Sequence, residues 1–132
     1  MSIAPTAFFS ALANDTRLRM LMLLLREGEL CVCELTQAIG VSQPHVSRHL
    51  AQLRELSLVA DRRAGTWIYY RIHPDLPGWA CAVMRETAAG LAGATPFRED
   101  AKALAAMANR PGAPRCGGVL DQQAPELTRG RL

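Results

Sequence analysis

Three observations predict a mainly α-helical fold that carries a single β-hairpin. Apolar residues recur at helical spacing in two short runs separated by Gly40, the second run opens with small polar residues and Pro44, and two β-rich runs flank Gly65 soon afterwards. A helix, a tight turn, a second helix and a hairpin in that order make a winged helix-turn-helix.

The first long helix runs from Asp15 to Arg26, with Leu18, Leu21, Met22 and Leu25 on one stripe and Asn14 or Asp15 as its cap. Glu27-Gly28-Glu29 ends it. Val32, Leu35 and Ile39 then line the inner face of a short helix that stops at Gly40. Ser42 is the expected N-cap of the next helix, Pro44 fits its first turn, and Val46, Leu50, Leu53 and Leu56 carry its buried stripe. Leu58 to Arg63 and Thr66 to Ile72 are read as two strands around Arg63-Ala64-Gly65. His73-Pro74 breaks the second strand, and Leu76, Trp79, Ala80, Val83, Met84 and Thr87 resume helical spacing. A further helix is expected over Phe97 to Met107. The domain is therefore expected to span residues 1–94, with an additional helix over 95–109. Residues 110–132 read as a flexible tail that contains Cys116, because Pro and Gly are frequent there and large apolar residues few.

At 132 residues with 49% apolar content the chain suffices for one core. No run approaches the roughly 20 apolar residues of a membrane span, and residues 1–13 lack a secretory pattern, so the expected location is cytoplasmic. In a reducing cytosol the four cysteines are thiols. Net charge is only +3, yet Arg48, Arg54, Arg62, Arg63 and Arg71 stand against Glu55 and Asp61, so the basic surplus falls on the helix and hairpin that would meet a polyanion. No paired carboxylates, phosphate loop, H-E-x-x-H or nucleophile elbow is present, and the expectation is a non-enzyme.

With Val46, Leu50 and Leu53 facing inward, the second helix of the motif turns Gln43, His45, Arg48, His49 and Gln52 outward for base edges and phosphates. Ser42 and Ser47 are short enough to meet the DNA backbone. Arg48 offers a two-pronged contact to guanine or phosphate, and Arg62 and Arg63 suit a wing laid against the backbone or minor groove. One such head reads few base pairs, so a two-fold dimer on double-stranded operator DNA is expected. Phe8, Phe9 and Leu12, with Trp79, Val83 and Met84, are the candidates for its interface, the alternative being intramolecular core.

Cys31-Val32-Cys33 sits where the first helix of the motif begins, and a helix N-terminus favours thiolate. On a regular helix the two side chains would point roughly 200° apart, so a shared ion would have to unwind that turn and disturb the recognition helix. Thiolates select soft ions, and the C-x-C spacing differs from the C-x-x-C pairs of structural zinc sites. A third ligand is Cys116, Cys81 or an outside group. His45 and His49, four residues apart, are a metal-capable pair whose place on the reading face favours DNA contact.

Glu29-Leu30-Cys31-Val32-Cys33-Glu34-Leu35, Ser42-Gln43-Pro44-His45-Val46-Ser47-Arg48-His49-Leu50 and the stretch from Asp61 to Arg71 resemble the sensing motif, recognition helix and wing of the ArsR/SmtB family of metal-sensing repressors, in its arsenical-resistance branch. The resemblance implies a homodimer on the promoter of its own resistance operon, released when trivalent arsenic or antimony binds Cys31 and Cys33. Some members of that branch carry a further cysteine just after the C-x-C, where this chain has Thr36 and Gln37, so the third ligand must lie elsewhere. The zinc-sensing members use a carboxylate and histidine set on the last helix, and no histidine follows Asp75 here. The competing reading is a regulator that answers to thiol oxidation.

Overall fold

The computed structural model describes residues 2–107. Six helices and three strands follow in the order α1 (Pro5–Leu12), α2 (Asp15–Glu27), β1 (Leu30–Cys31), α3 (Val32–Ile39), α4 (Gln43–Glu55), β2 (Val59–Ala64), β3 (Trp67–Ile72), α5 (Gly78–Leu91) and α6 (Phe97–Ala105). The winged helix-turn-helix expected from the sequence is present, and two elements went unread, α1 and β1.

Helix α2 forms the centre of the core. Its stretch from Met20 to Leu25 is buried throughout, broader than an amphipathic stripe, because other helices pack on more than one of its faces. Asn14 caps it: its Oδ1 accepts the Arg17 backbone N–H at 3.0 Å. Helix α3 ends at Gly40, whose φ of 79° is left-handed and turns the chain into the three-residue link before α4. Ser42 takes the N-cap position of α4, yet its side chain makes no capping bond, and Pro44 occupies the first turn where no donor is lost.

The hairpin β2–β3 closes through Gly65 and Thr66, one residue later than expected, with Gly65 at φ 66° in the first turn position as a two-residue hairpin requires. Strand β1 adds to the other edge of β3, pairing Leu30 with Tyr70 and Cys31 with Tyr69, so the sheet order is β1-β3-β2. This short strand ties the start of α3 directly to the wing.

Helix α6 packs against α2 and α3. Leu104 is fully buried there, and the Asp100 carboxylate accepts two bonds from Arg19, at 2.8 Å from Nε and 2.7 Å from Nη2. Of the apolar residues considered for a dimer interface, Phe8 and Met84 lie wholly inside the core, whereas Phe9 and Trp79 are 50% and 42% exposed. The ring centroids of Phe9 and Trp79 lie 6.3 Å apart, and each borders Phe8, so α1 and α5 present one aromatic patch at the surface. Among the described residues, no helix is long and apolar enough to cross a membrane.

Candidate thiol sensor and nucleic-acid interface

The geometry of the C-x-C pair overturns one expectation. Cys31 is not on the helix: it is the N-cap of α3, extended at φ −92° and ψ 168°, and Cys33 is the second helical residue. The change from extended to helical backbone between them turns both side chains to the same side, and the two sulfurs stand 2.8 Å apart. No unwinding is needed to bring them together.

The thiolate expectation fails for Cys31 as well. Its thiol is buried, and its pKa is pushed up to about 12, first by that burial and then by the Cys33 thiol beside it. A helix N-terminus does not outweigh removal from water at this position. Cys33 is exposed at the edge. The pair is anchored from below by a capping box in which sulfur takes the usual serine position. The Cys31 backbone N–H donates to Glu34 Oε1 at 2.8 Å, and the Glu34 N–H points back at the Cys31 sulfur. Glu34 is 1% exposed, an acidic residue held in the core by this role.

The two thiols open onto a cleft of about 650 Å³ between α3, the start of α4 and the wing, lined also by Val32, Thr36, Gln37, Gln43, Thr66, Trp67 and Ile68. Trp67 is 45% exposed on the wing side. Cys81 belongs to α5, where its thiol faces the Leu76 carbonyl at 3.8 Å, and no group of three or more potential metal ligands assembles among the described residues. Cys116 lies outside the described residues. What the site offers is two soft donors, one buried and one exposed, facing an open cleft; it suits an ion that prefers sulfur.

The other candidate residues gather on one face of α4. Gln43, Arg48 and Gln52 are exposed and His45, Ser47 and His49 half-buried, while Val46, Leu50 and Leu53 form the inner stripe as expected. His45 and His49 lie edge to face, with Nε2 atoms 3.2 Å apart, and Arg48 Nη2 reaches His45 Nδ1 at 3.3 Å. Burial, His45 and Arg17 in that order lower the pKa of His49, so its ring is neutral at pH 7.

The two wing arginines part ways. Arg62 forms a two-pronged pair with Glu29, both bonds at 2.8 Å, and lies 4.8 Å over the Tyr69 ring, so it clamps the wing to the segment before β1. Arg63, on the opposite face of β2, is exposed. Arg17 was not singled out in the sequence. From α2 it donates to the Ala11 carbonyl at 2.8 Å and the Ser10 carbonyl at 3.1 Å, binding α1 to α2, and its remaining nitrogen lies 3.5 Å from Gln52 Oε1 on α4. Nothing in a one-dimensional pattern marks a cation that becomes a neighbour of α4 only through packing.

Residues 14–61 match the family model for bacterial regulatory proteins of the arsR family. The arsenic resistance transcriptional regulator ArsR1 of Pseudomonas putida is 50% identical over 114 residues, covering 85% of this chain and 86% of that protein. The arsenical resistance operon repressor of Escherichia coli is 48% identical over 84 residues, 64% of this chain and 72% of that one. Among solved structures, the AntR antimony-specific transcriptional repressor superposes with a TM-score of 0.56 at 34% identity, covering 65% of this chain and 75% of its own. HlyU from Vibrio cholerae gives the same TM-score at 32% identity, over 62% and 85% of the respective chains. With half of the aligned residues identical to ArsR1 over 85% of its length, the chain belongs to the arsR family of bacterial regulatory proteins.

Proposed function

We propose that this chain is a transcriptional repressor that holds operator DNA as a homodimer and lets go when trivalent arsenic or antimony binds the thiols of Cys31 and Cys33. Membership of a family of bacterial regulators, and relatives named for arsenic and antimony resistance, support the reading. The observation that carries it is the position of the thiol pair. Cys31 is hydrogen-bonded sheet, paired with Tyr69 of the wing, and Cys33 is the first turn of α3, the helix that leads into α4. One ligand gripping both therefore acts at the hinge between the two elements offered to DNA.

The magnitude of the movement follows from bond lengths. Thiolates bound to one ion at about 2.3 Å and 90–110° lie about 3.3–3.8 Å apart. The sulfurs start at 2.8 Å, so seating the ion moves them apart by about 0.5–1 Å and pushes on the junction of β1 and α3. Interfaces that pack in discrete arrangements respond to such shifts by repacking. The ligand needs only to bind the spread arrangement better than the one that fits DNA. The exposed Cys33 meets the incoming arsenite or antimonite through the cleft and the buried Cys31 completes the chelate; each new bond to sulfur replaces a bound hydroxide, which takes the thiol proton and leaves as water. Cys116 is proposed as the third ligand.

Facing DNA, we assign Gln43, His45, Arg48, His49 and Gln52 to the major groove and Ser42, Ser47 and Arg63 to the backbone, with Arg62 shaping the wing from its pair with Glu29. The Phe9–Trp79 patch supplies the dimer contact. A second reading, release by thiol oxidation, draws on the same short distance between the sulfurs. Fluorescence anisotropy on DNA from upstream of the gene separates the two. Arsenite or antimonite releases fully reduced protein under the first reading, whereas only an oxidant releases it under the second.

A further inference from the structure

Helix α4 carries a second pair of potential ligands, distinct from the thiols. His45 and His49 are one turn apart and their Nε2 atoms are 3.2 Å from each other. Two imidazole nitrogens bound to one ion at about 2.0–2.1 Å, subtending 90–110°, lie about 2.8–3.4 Å apart. The spacing of the two rings therefore matches a chelate. The orientation of His49 is fixed from within, since its Nδ1 edge is buried and its Nε2 is left as the atom that faces His45.

The hydrogen-bond chain also defines where the protons are. Arg48 can only donate, so His45 Nδ1 is the acceptor and a neutral His45 carries its proton on Nε2. That proton is donated to His49 Nε2, whose own ring proton is then on Nδ1. Two ring nitrogens held 3.2 Å apart with one proton between them make a site in which a metal ion can replace the proton once that proton moves to the other nitrogen of His45.

We propose that His45 and His49 form a bidentate site for a nitrogen-preferring divalent transition ion such as zinc, nickel or copper, and that this ion and DNA exclude one another on α4. On binding, the His45 proton moves through water from Nε2 to Nδ1, so both rings stay neutral and no net proton is released. Arg48, which cannot donate to the protonated Nδ1, swings away. Water fills the remaining coordination positions. Arg17 and Arg48 close by oppose any cation, which restricts the site to ions with strong imidazole affinity and rejects hard ions such as magnesium and calcium. The exclusion of DNA rests on the assignment of α4 to the major groove; the chelate itself does not.

Zinc chloride titrated into the full chain, followed by the ring nitrogen resonances of the three histidines, tests the site without DNA. The expected result is that the Nε2 signals of His45 and His49 shift together and saturate at one ion per chain while His73 does not move. His45→Gln should weaken this binding at least tenfold and leave His49 free to titrate. Movement of neither ring, of only one, or of His73 to the same extent would overturn the chelate. In a second arm, zinc should weaken operator binding of the parent protein more than tenfold, and that fold-change should vanish in His45→Gln relative to its own zinc-free value. A chelate seen by resonance shifts with undiminished DNA affinity would refute the exclusion, while loss of DNA affinity in His45→Gln without zinc tests the placement of α4 separately.

Discussion

Replacing Cys31 by serine should remove the sensing thiol and leave the fold in place, because the structure already uses this residue as a helix cap. Serine is among the best N-cap residues and Ser-x-x-Glu is the common form of the capping box, so Cys31→Ser retains an acceptor for the Glu34 N–H and the bond from its own N–H to Glu34. The expected stability change is within about 1 kcal/mol. Glu34→Ala is the contrasting perturbation. It strips the acceptor from the Cys31 N–H at a residue only 1% exposed, which leaves a buried donor unpaired and costs about 1–3 kcal/mol. For a domain of this size each kcal/mol moves Tm by about 4–8 °C. Thermal unfolding followed by circular dichroism on both variants is the assay. A Cys31→Ser protein that loses as much stability as Glu34→Ala, or that fails to fold, would refute the view that Cys31 is a cap whose sulfur is free to serve another purpose.

Asp100→Asn should lower stability by about 1–3 kcal/mol in urea unfolding, because it ends the two-pronged pair that holds α6 to Arg19 on α2 and leaves the guanidinium half-enclosed. A folded-state pKa of about 12 for Cys31, above its ordinary 9, means that the native state holds this proton more tightly than the unfolded state. Stability from this group is thus complete below pH 9 and lost as pH rises towards 12; denaturant unfolding between pH 8 and 11 should show a fall that is shallower in Cys31→Ser, the remainder coming from Tyr69 and Tyr70, whose hydroxyls are shifted upward by burial. Arsenite binding, by contrast, should show little rise with pH in this range, because each thiol proton leaves with a hydroxide of As(OH)3 as water and no net proton is released. Arg63→Ala should reduce the slope of log affinity for DNA against log salt by about 2, one for each chain of the dimer, whereas Arg62→Ala, already paired with Glu29, should act mainly by loosening the wing; equal salt slopes for Arg63→Ala and the parent would exclude a phosphate contact by Arg63.

What the sequence made legible was whatever repeats along the chain. The stripe of Val46, Leu50 and Leu53 defined the inner face of α4 and so its outer one, and the β-rich runs around Gly65 defined the wing to within a residue. Strand β1 was illegible because two residues carry no period, and its existence depends on β3 reaching across to them. That omission produced the error over the thiols: without β1, Cys31 reads as helical and the pair as divergent, whereas an extended Cys31 makes it convergent. Helix α1 has eight residues, too few to establish a stripe, and its Phe8 turned out to be core while its neighbour Phe9 stayed outside. The partners of Arg17, Arg19 and Arg62 come from sequence-distant segments, which no local pattern reveals.

Sensing by the thiol pair is tested by the release of promoter DNA from reduced protein on titration with arsenite, compared between the parent chain and Cys33→Ser, the exposed member of the pair. Both proteins should bind the DNA with similar affinity, and only the parent should let go. Release of both at the same arsenite concentration would contradict sensing by this pair.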